Sequence, residues 1–462
     1  MPRNASRLGV RGWLASTAAR AVGVLLRSLG RAGTTVPGRV LLALDPSALS
    51  RISIRLGAGT VLVSATNGKT TTAALAEAAL SQSGLTVVHN SAGANMAGGI
   101  ASALLHANPG PETLGLLEID EFWLPELAPQ LKPKAVLLGN LFRDQLDRYG
   151  ELDAILDRWI EAAVQLAADG THFVLCADDP GIAWLGLQLP AASVTWFGVE
   201  DTTLALKQLP HAADAGSCRR CGTPLVYSAV LLGHLGHWAC PSCGLTRPTP
   251  TFALAGITLH GARFSSLRIA SPSGTHSVEL GVPGVYNAYN AVGAWALAAT
   301  LGVPPDVVAS AFGSAKASFG RAETFTISDR EATLFLVKNP TGANEVIRAL
   351  ASEAEPLALQ FLLNDGVADG RDVSWIWDAD FEDIADQIEM VVCSGTRASE
   401  AALRFRYSGV PADRIATISE PRAGLAQLAK SRQESLWVLP TYTAMLELRS
   451  ALADEGLVER VV

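Results

Sequence analysis

The chain has 462 residues, of which 49% are apolar and 17% charged, with a net charge of −8 at pH 7 and a pI near 5.6. Such a length allows two or three domains, each with its own core. The acidic balance gives no global reason to bind nucleic acid, and no run approaches the ~18 apolar residues of a membrane span. In chain order, the first segment carries Arg7, Arg11, Arg20, Arg27 and Arg31 and no acid, with Trp13, Leu14, Val22, Val24, Leu25, Leu26 and Leu29 between them. Two readings stand: an amphipathic helix covering the domain that follows, or a weak contact with anionic lipid. A secretory signal would need a longer uninterrupted apolar region.

Residues 61–72 run from the β-branched segment Val61-Leu62-Val63 through Ser64-Ala65-Thr66-Asn67-Gly68 into Lys69-Thr70-Thr71-Thr72 and an alanine-rich helix ending at Gln82. This is the sequence form of a phosphate cradle. Gly68 lets main-chain N–H groups close round a phosphate, Lys69 supplies a point charge, and the Thr70 hydroxyl suits Mg²⁺ at a helix N-terminus. The general pattern wants a glycine where Val63 stands, so a Gly-Lys turn in a surface loop is the competing reading.

Short apolar runs then alternate with helical ones: 86–89 before 95–105, 114–119 before a short helix, 135–138 before 152–168, then 173–176. The rhythm predicts βαβ units and a parallel sheet covered on both faces. Ligands of such sheets gather beyond the C-terminal strand ends, which puts Glu118-Ile119-Asp120-Glu121 and residues 140–150 on the edge that carries Lys69. The segment 205–251 breaks the rhythm. Its Cys218, Cys221, Cys240 and Cys243 form C-x2-C-x18-C-x2-C, each pair followed by a glycine, Gly222 or Gly244. That spacing predicts a closed, structural four-thiolate Zn²⁺ ribbon; two disulfides, or a redox pair with a bystander, are the alternatives. Cys176 and Cys393 lie in apolar runs and read as packed core residues. Strand-like runs resume at 264–269 and 277–280, before Asn287-x-x-Asn290 opens a helix to 301 and a shorter one spans 307–312. After a boundary near 318–321, runs at 334–337, 357–363, 390–393, 415–419 and 436–439 alternate with helices, predicting a second α/β domain.

Taken together, Thr66-Asn67-Gly68-Lys69-Thr70-Thr71, Glu118, Asn140 with Asp144-Gln145-Leu146-Asp147, Asn287-x-x-Asn290 and Gly320-Arg321-x-Glu323 resemble the Mur ligase superfamily in kind and order. The ribbon, Lys338-Asn339-Pro340-x-Gly342, and Asn364-Asp365-x-x-Ala368-Asp369-Gly370-Arg371-Asp372-x-Ser374-Trp375 resemble its branch of lipid II isoglutaminyl synthase synthetase subunits. The resemblance covers the chain from about Pro37 onward. It implies an α/β fold: an N-terminal helical segment (1–50), a central P-loop ATPase domain with a parallel sheet (51–319) bearing a zinc ribbon insertion (about 205–251), and a C-terminal α/β domain (320–462). It further implies ATP, Mg²⁺ and structural Zn²⁺ as cofactors, and an acyl phosphate intermediate. ATP would be held by Thr66, Asn67, Gly68, Lys69, Thr70, Thr71, Asn140, Asn287 (toward adenine) and Arg321. Mg²⁺ would lie at Thr70 and Glu118, and Lys69 and Glu118 would take part in catalysis.

The implied reaction amidates the α-carboxyl of D-glutamate in the lipid II stem peptide, in the cytoplasm at the inner face of the membrane. The chain carries no nucleophile elbow of its own, and the implied ammonia source is a separate GatD-type glutaminase with a Cys and a His, whose triad Asp372 would complete. On the residues alone, Glu118 also reads as a helix cap, Arg321 as a surface ion pair and Asp372 as a cap for a helix at Ser374. Two other functions compete. One is an amino-acid-adding Mur ligase, against which stand Gln145, where that group has a metal-binding histidine, and Ile160, where some relatives have a carbamylated lysine. The other is a zinc-ribbon nucleic-acid binder with a degenerate ATPase, for which Arg219, Arg220, His234, His237 and Arg247 supply some basic character.

Overall fold

The computed structural model describes residues 9–28, 34–90, 94–143, 152–210, 214–260, 264–281, 284–314 and 321–458, with residues 9, 10, 321 and 322 described as backbone alone. The first half supplies strands β1 (Gly59–Ser64), β2 (Thr86–His89), β3 (Thr113–Glu118), β4 (Ala135–Leu138), β5 (His172–Cys176), β6 (Val194–Val199), β7 (Val226–Leu232), β8 (Leu235–Ala239), β9 (Phe252–His260), β10 (Phe264–Ser271) and β11 (Gly274–Leu280). Except for β7 and β8, which pair with each other, they form one sheet in the order β11-β10-β9-β6-β5-β4-β1-β3-β2. From β2 to β9 every pairing is parallel. Val61, Leu62 and Val63 of β1 are fully buried, as a central strand with helices on both faces requires.

The expectation of a parallel sheet holds in this region but not at one edge, where β9, β10 and β11 run antiparallel. In β10 the residues Ser265, Leu267 and Ile269 point inward while Arg268 is exposed. This two-residue alternation suits a half-covered meander joined by short turns rather than helical crossovers. Strand β6 was not expected, and the sheet resumes at Phe252 rather than at Phe264. The second sheet contains β12 (Arg321–Ile327), β13 (Arg330–Phe335), β14 (Leu357–Leu362), β15 (Ile388–Ser394), β16 (Ile415–Thr417) and β17 (Ser435–Pro440), ordered β12-β13-β17-β14-β15-β16. Its pairings are parallel except for β12 with β13. The expected boundary near 318–321 lies largely outside the described residues.

Helices α1 (Gly9–Ser28), α2 (Val36–Leu44) and α3 (Ala48–Ser53) precede β1, and α4 (Lys69–Gln82) and α5 (Ala97–Leu105) follow β1 and β2. Helix α2 lies against α5 so closely that a Cβ on Gly38 would fall 1.8 Å from the Gly98 carbonyl oxygen. The Gly38 N–H donates to Ser102 Oγ at 2.8 Å. Helix α1 turns Gly12, Ala15, Ser16, Ala19 and Gly23 inward and leaves Trp13, Leu14, Val24 and Leu25 about half exposed or more. It does cover the following domain, but with its small residues, whereas most of its large apolar side chains face outward.

Candidate functional site

β1 ends at Ser64, and the turn 65–68 carries the chain into α4. Val63 is a strand residue, in register with Glu118 on β3; that register explains both why the position tolerates a β-branched side chain and why Glu118 emerges beside the turn. Gly68 has φ +89°, and a Cβ there would sit 2.0 Å from Asn290 Oδ1. Both the backbone and the close approach therefore require glycine. Asn290 Nδ2 in turn donates to Asn287 Oδ1 at 3.2 Å, and Asn287 is fully buried.

Asn140 holds the turn by imitating a neighbouring strand. Its Oδ1 accepts the Asn67 N–H at 2.9 Å and its Nδ2 donates to the Asn67 carbonyl at 3.0 Å. Thr66 Oγ1 accepts the N–H of Phe142 at 2.9 Å. The Lys338-Asn339 motif of the second sheet's domain also reaches this turn: Asn339 Nδ2 donates to Asn67 Oδ1 at 3.0 Å, and Lys338 Nζ lies 3.4 Å from the Thr66 carbonyl oxygen. Asn339 also caps the helix Pro340–Leu350, accepting from Gly342 N at 2.8 Å. A cleft between the two parts is lined by Asn67, Gly68, Tyr286, Lys338, Gly342 and Glu345. Burial pushes the Glu345 carboxyl up to about 7, against the attraction of Arg348.

Two charge chains lie beneath the turn, buried except at Glu77, where the second reaches the surface. In one, Lys69 Nζ meets Glu121 Oε2 at 2.7 Å and also donates to the Ala65 carbonyl. Burial opposes ionisation of Glu121, but Lys69 and Lys338 outweigh it and hold the carboxyl below its usual range. Asp120 next to it is pushed the other way, by burial and then by Glu121. In the second chain Thr70 Oγ1 donates to Glu118 Oε2 at 2.9 Å, Glu118 Oε1 meets His89 Nε2 at 2.9 Å, and His89 Nδ1 meets Glu77 Oε2 at 2.8 Å. Burial works against a charge on His89, yet its bonds to Glu118 and Glu77 prevail and raise its pKa to about 9. Asn90 fixes the main chain of Glu118, accepting from its N–H at 2.8 Å and donating to its carbonyl at 2.9 Å.

Glu121 lies on the edge that the sequence assigns to Lys69, but without a role of its own, and His89 and Asn90 carry no functional assignment from the sequence. His89 ends the strand 86–89 and Asn90 follows it; position at strand ends that meet in a parallel sheet is the only signal they give. Residues 144–147, including Gln145, and the side chain of Arg321 lie outside the described residues. Ile160 packs against the apolar core.

The four cysteine sulfurs lie within 4.8 Å of one another, with Cys218 and Cys243 3.6 Å apart and Cys221 and Cys240 3.5 Å apart. Disulfide bonds need about 2.0 Å, whereas sulfurs at tetrahedral Zn–S bonds of about 2.3 Å sit roughly 3.8 Å from one another. The donor set therefore fits zinc. Gly222 and Gly244 take φ +75° and +71° and donate to the carbonyls of Cys218 and Cys240 at 2.8 and 3.2 Å, making two matched knuckles. Four of the basic residues that suggested nucleic acid are turned to other work. Arg219 pairs with Asp153 and Asp157, Arg247 with Asp178 and Glu200, His234 lies 3.3 Å from Asp179, and His237 reaches the Val199 carbonyl. Cys176 and Cys393 are buried in strands, and burial raises both thiols.

Asp372 is exposed, and its Oδ1 accepts the Ser374 N–H at 2.8 Å, just ahead of the short 3₁₀ helix Ser374–Asp378. Bonds from Ser374 hold its carboxyl below the usual range.

The two sheets and the turn at β1 define an α/β protein of the Mur ligase class: residues 63–221 match the Mur ligase middle domain, and residues 336–445 match the MurT ligase C-terminal domain. A pseudomurein peptide ligase type C from Methanothermus fervidus has a similar fold, with a TM-score of 0.67 at 20% identity over 86% of this chain and 78% of that one. In sequence the chain is 35% identical to the lipid II isoglutaminyl synthase (glutamine-hydrolyzing) subunit MurT of Streptococcus pneumoniae, over 96% of this chain and 97% of the relative. It is 31% identical to the Staphylococcus aureus (strain N315) MurT over 87% and 89%. The chain belongs to the MurT family.

Proposed function

We propose that the protein is the synthetase subunit of a lipid II isoglutaminyl synthase, converting the α-carboxyl of D-glutamate in the stem peptide to D-isoglutamine at the cytoplasmic face of the membrane. The observation that carries this is the near full-length likeness to MurT subunits, reaching across both domains. In the reaction a carboxylate oxygen attacks the γ-phosphorus of ATP and ADP leaves; ammonia then attacks the acyl carbon and phosphate leaves. The turn 66–68 and the N-terminus of α4 would receive the phosphates, with Lys69 and Lys338 as their fixed cations. Thr70 Oγ1 and Glu118 Oε2, 2.9 Å apart, are hard oxygen donors that fit Mg²⁺, which when bound neutralises charge on the transferring phosphoryl group. Asn140 orders the turn, and Asn287 and Arg321 are assigned to the nucleotide on resemblance.

Ammonia would come from a GatD-type glutaminase, and the exposed carboxylate of Asp372 would orient the partner's catalytic histidine. Co-expression with candidate glutaminases, followed by mass spectrometry of lipid II incubated with ATP and glutamine, tests the reading. A mass decrease of about one unit per stem peptide (carboxylic acid to amide) is expected. Addition of an amino acid instead would make the protein an amino-acid-adding ligase.

A further inference from the structure

Helix α1 is amphipathic in the wrong sense for a helix whose only task is to cover a core. The side it buries is Gly12, Ala15, Ser16, Ala19 and Gly23, while Trp13, Leu14, Val24 and Leu25 are 51%, 55%, 59% and 58% exposed. At 100° per residue these four fall within an arc of about 120°, shared with Ala21 and with Thr17 and Ser28, whose hydroxyls donate to the carbonyls of Trp13 and Leu25 on the helix itself. Arg20 and Arg27 border it on one side and Arg11 on the other, all exposed. Arg11 and Arg20 donate to the main-chain carbonyls of Leu44 and Leu105, which fixes the guanidinium groups without neutralising them. On α2, which packs against α1, Val36 and Leu44 are also 45% and 46% exposed. From residue 9 to residue 57 the only acid is Asp45, and it is paired with Arg51. An otherwise acidic protein has thus gathered a basic, apolar surface at one place. No described helix is long and apolar enough to cross a membrane, so the geometry is that of a helix lying in an interface.

We propose that the outer face of α1 docks on an anionic lipid surface, Trp13, Leu14, Val24 and Leu25 entering the headgroup–acyl boundary and the flanking arginines meeting lipid phosphates. Charge complementarity selects lipid over a protein partner: an apolar stripe bordered by cations on both sides matches a plane of anionic headgroups. Helix α2 packs on the first turn of α5 through Gly38 and Gly98. That helix follows the segment in which Asn95 and Asn90 bond the main chain of Asp120 and Glu118, so the docked surface is braced against the site itself. Its use, holding the site near a lipid-borne substrate, rests on the amidation reading; the docking itself does not.

The test is sedimentation of the full chain with vesicles of phosphatidylglycerol or of phosphatidylcholine, without lipid II. Binding to the anionic vesicles, weakened by salt, is expected, with weak binding to the zwitterionic ones. A Trp13→Ser, Leu14→Ser, Val24→Ser, Leu25→Ser variant replaces exposed residues only, and should lose affinity by about tenfold or more while keeping the wild-type melting temperature. Arg27→Glu should weaken binding and its salt dependence. Equal binding of wild type and variant, no binding to phosphatidylglycerol, or loss in the variant of self-association or of glutaminase binding with no change on vesicles would overturn the proposal. Amidation of a short-chain, water-soluble lipid II analogue should be unchanged in the four-serine variant. If wild type fails that assay yet binds vesicles, the amidation reading falls and the docking surface stands.

Discussion

Replacement of His89 by glutamine tests whether the charge chain beneath the turn is what the geometry implies. Folding raises the His89 pKa from 6.5 to about 9 because its two ring nitrogens face Glu118 and Glu77. At about 1.4 kcal/mol per unit this corresponds to about 3 kcal/mol of stability. The sign follows from linkage. A pKa raised by folding contributes fully below 6.5, and the contribution is lost as pH rises through about 9. Wild type should therefore lose about 3 kcal/mol between pH 6 and pH 9.5 beyond any loss shared with His89→Gln. The variant should be the less stable protein at pH 6 and equal to wild type at pH 9.5. Urea unfolding followed by tryptophan fluorescence at the two pH values measures the difference. A gap that stays constant with pH would show that His89 has the same pKa folded and unfolded and that the bond to Glu118 is an ordinary one.

Lys69→Met should abolish amidation with glutamine and with ammonia alike, and leaving Glu121 buried without its partner should cost about 3 kcal/mol of stability; adding Glu121→Gln should restore most of the stability in thermal melts and none of the activity. Cys240→Ser or chelation should release zinc, read by elemental analysis, and lower the melting temperature, because the hairpin and knuckles have little core of their own; a metal-free protein with unchanged stability would refute the site. Asp372→Asn should abolish glutamine-dependent amidation while sparing amidation at high ammonia and complex formation. Equal loss with both nitrogen sources would place Asp372 in the synthetase site, and unchanged glutamine-dependent turnover would leave it only its bond to Ser374.

What was legible in the sequence is what is local. The apolar run at Val61, the glycine at 68 and the alanine-rich helix after it each follow from short-range chemistry, as do the paired Cys-x-x-Cys-Gly knuckles with their left-handed glycines. The links between distant segments were not. That Glu118 meets His89 depends on β3 lying beside β2 in one particular register, and that Asn339 bonds Asn67 depends on how the two sheets' domains pack. Which face of α1 turns outward was not legible for a related reason. Periodicity identifies an apolar stripe but not which side of the helix the protein covers, and here small residues on the other side allow the closer contact with α2.

The two charge chains also bear on how a nucleotide would be received. The cation of Lys69 is not waiting in solvent but is buried against Glu121, so a phosphate must share it rather than simply attract it. Sharing is cheaper than it looks. Lys338, carried by the other domain, already acts on Glu121, and movement of that domain would change how much of the Lys69 charge remains available. Glu118 is prepared differently: His89 and Asn90 fix its position from behind, and the oxygen it turns toward Thr70 gives up only a hydrogen bond from an uncharged hydroxyl when a cation arrives. On the proposed chemistry, then, the metal ligand is preorganised and the lysine is shared. Substitutions at Lys338 should accordingly change the apparent affinity for ATP more than the affinity for Mg²⁺, a split that separate titrations of the two would measure.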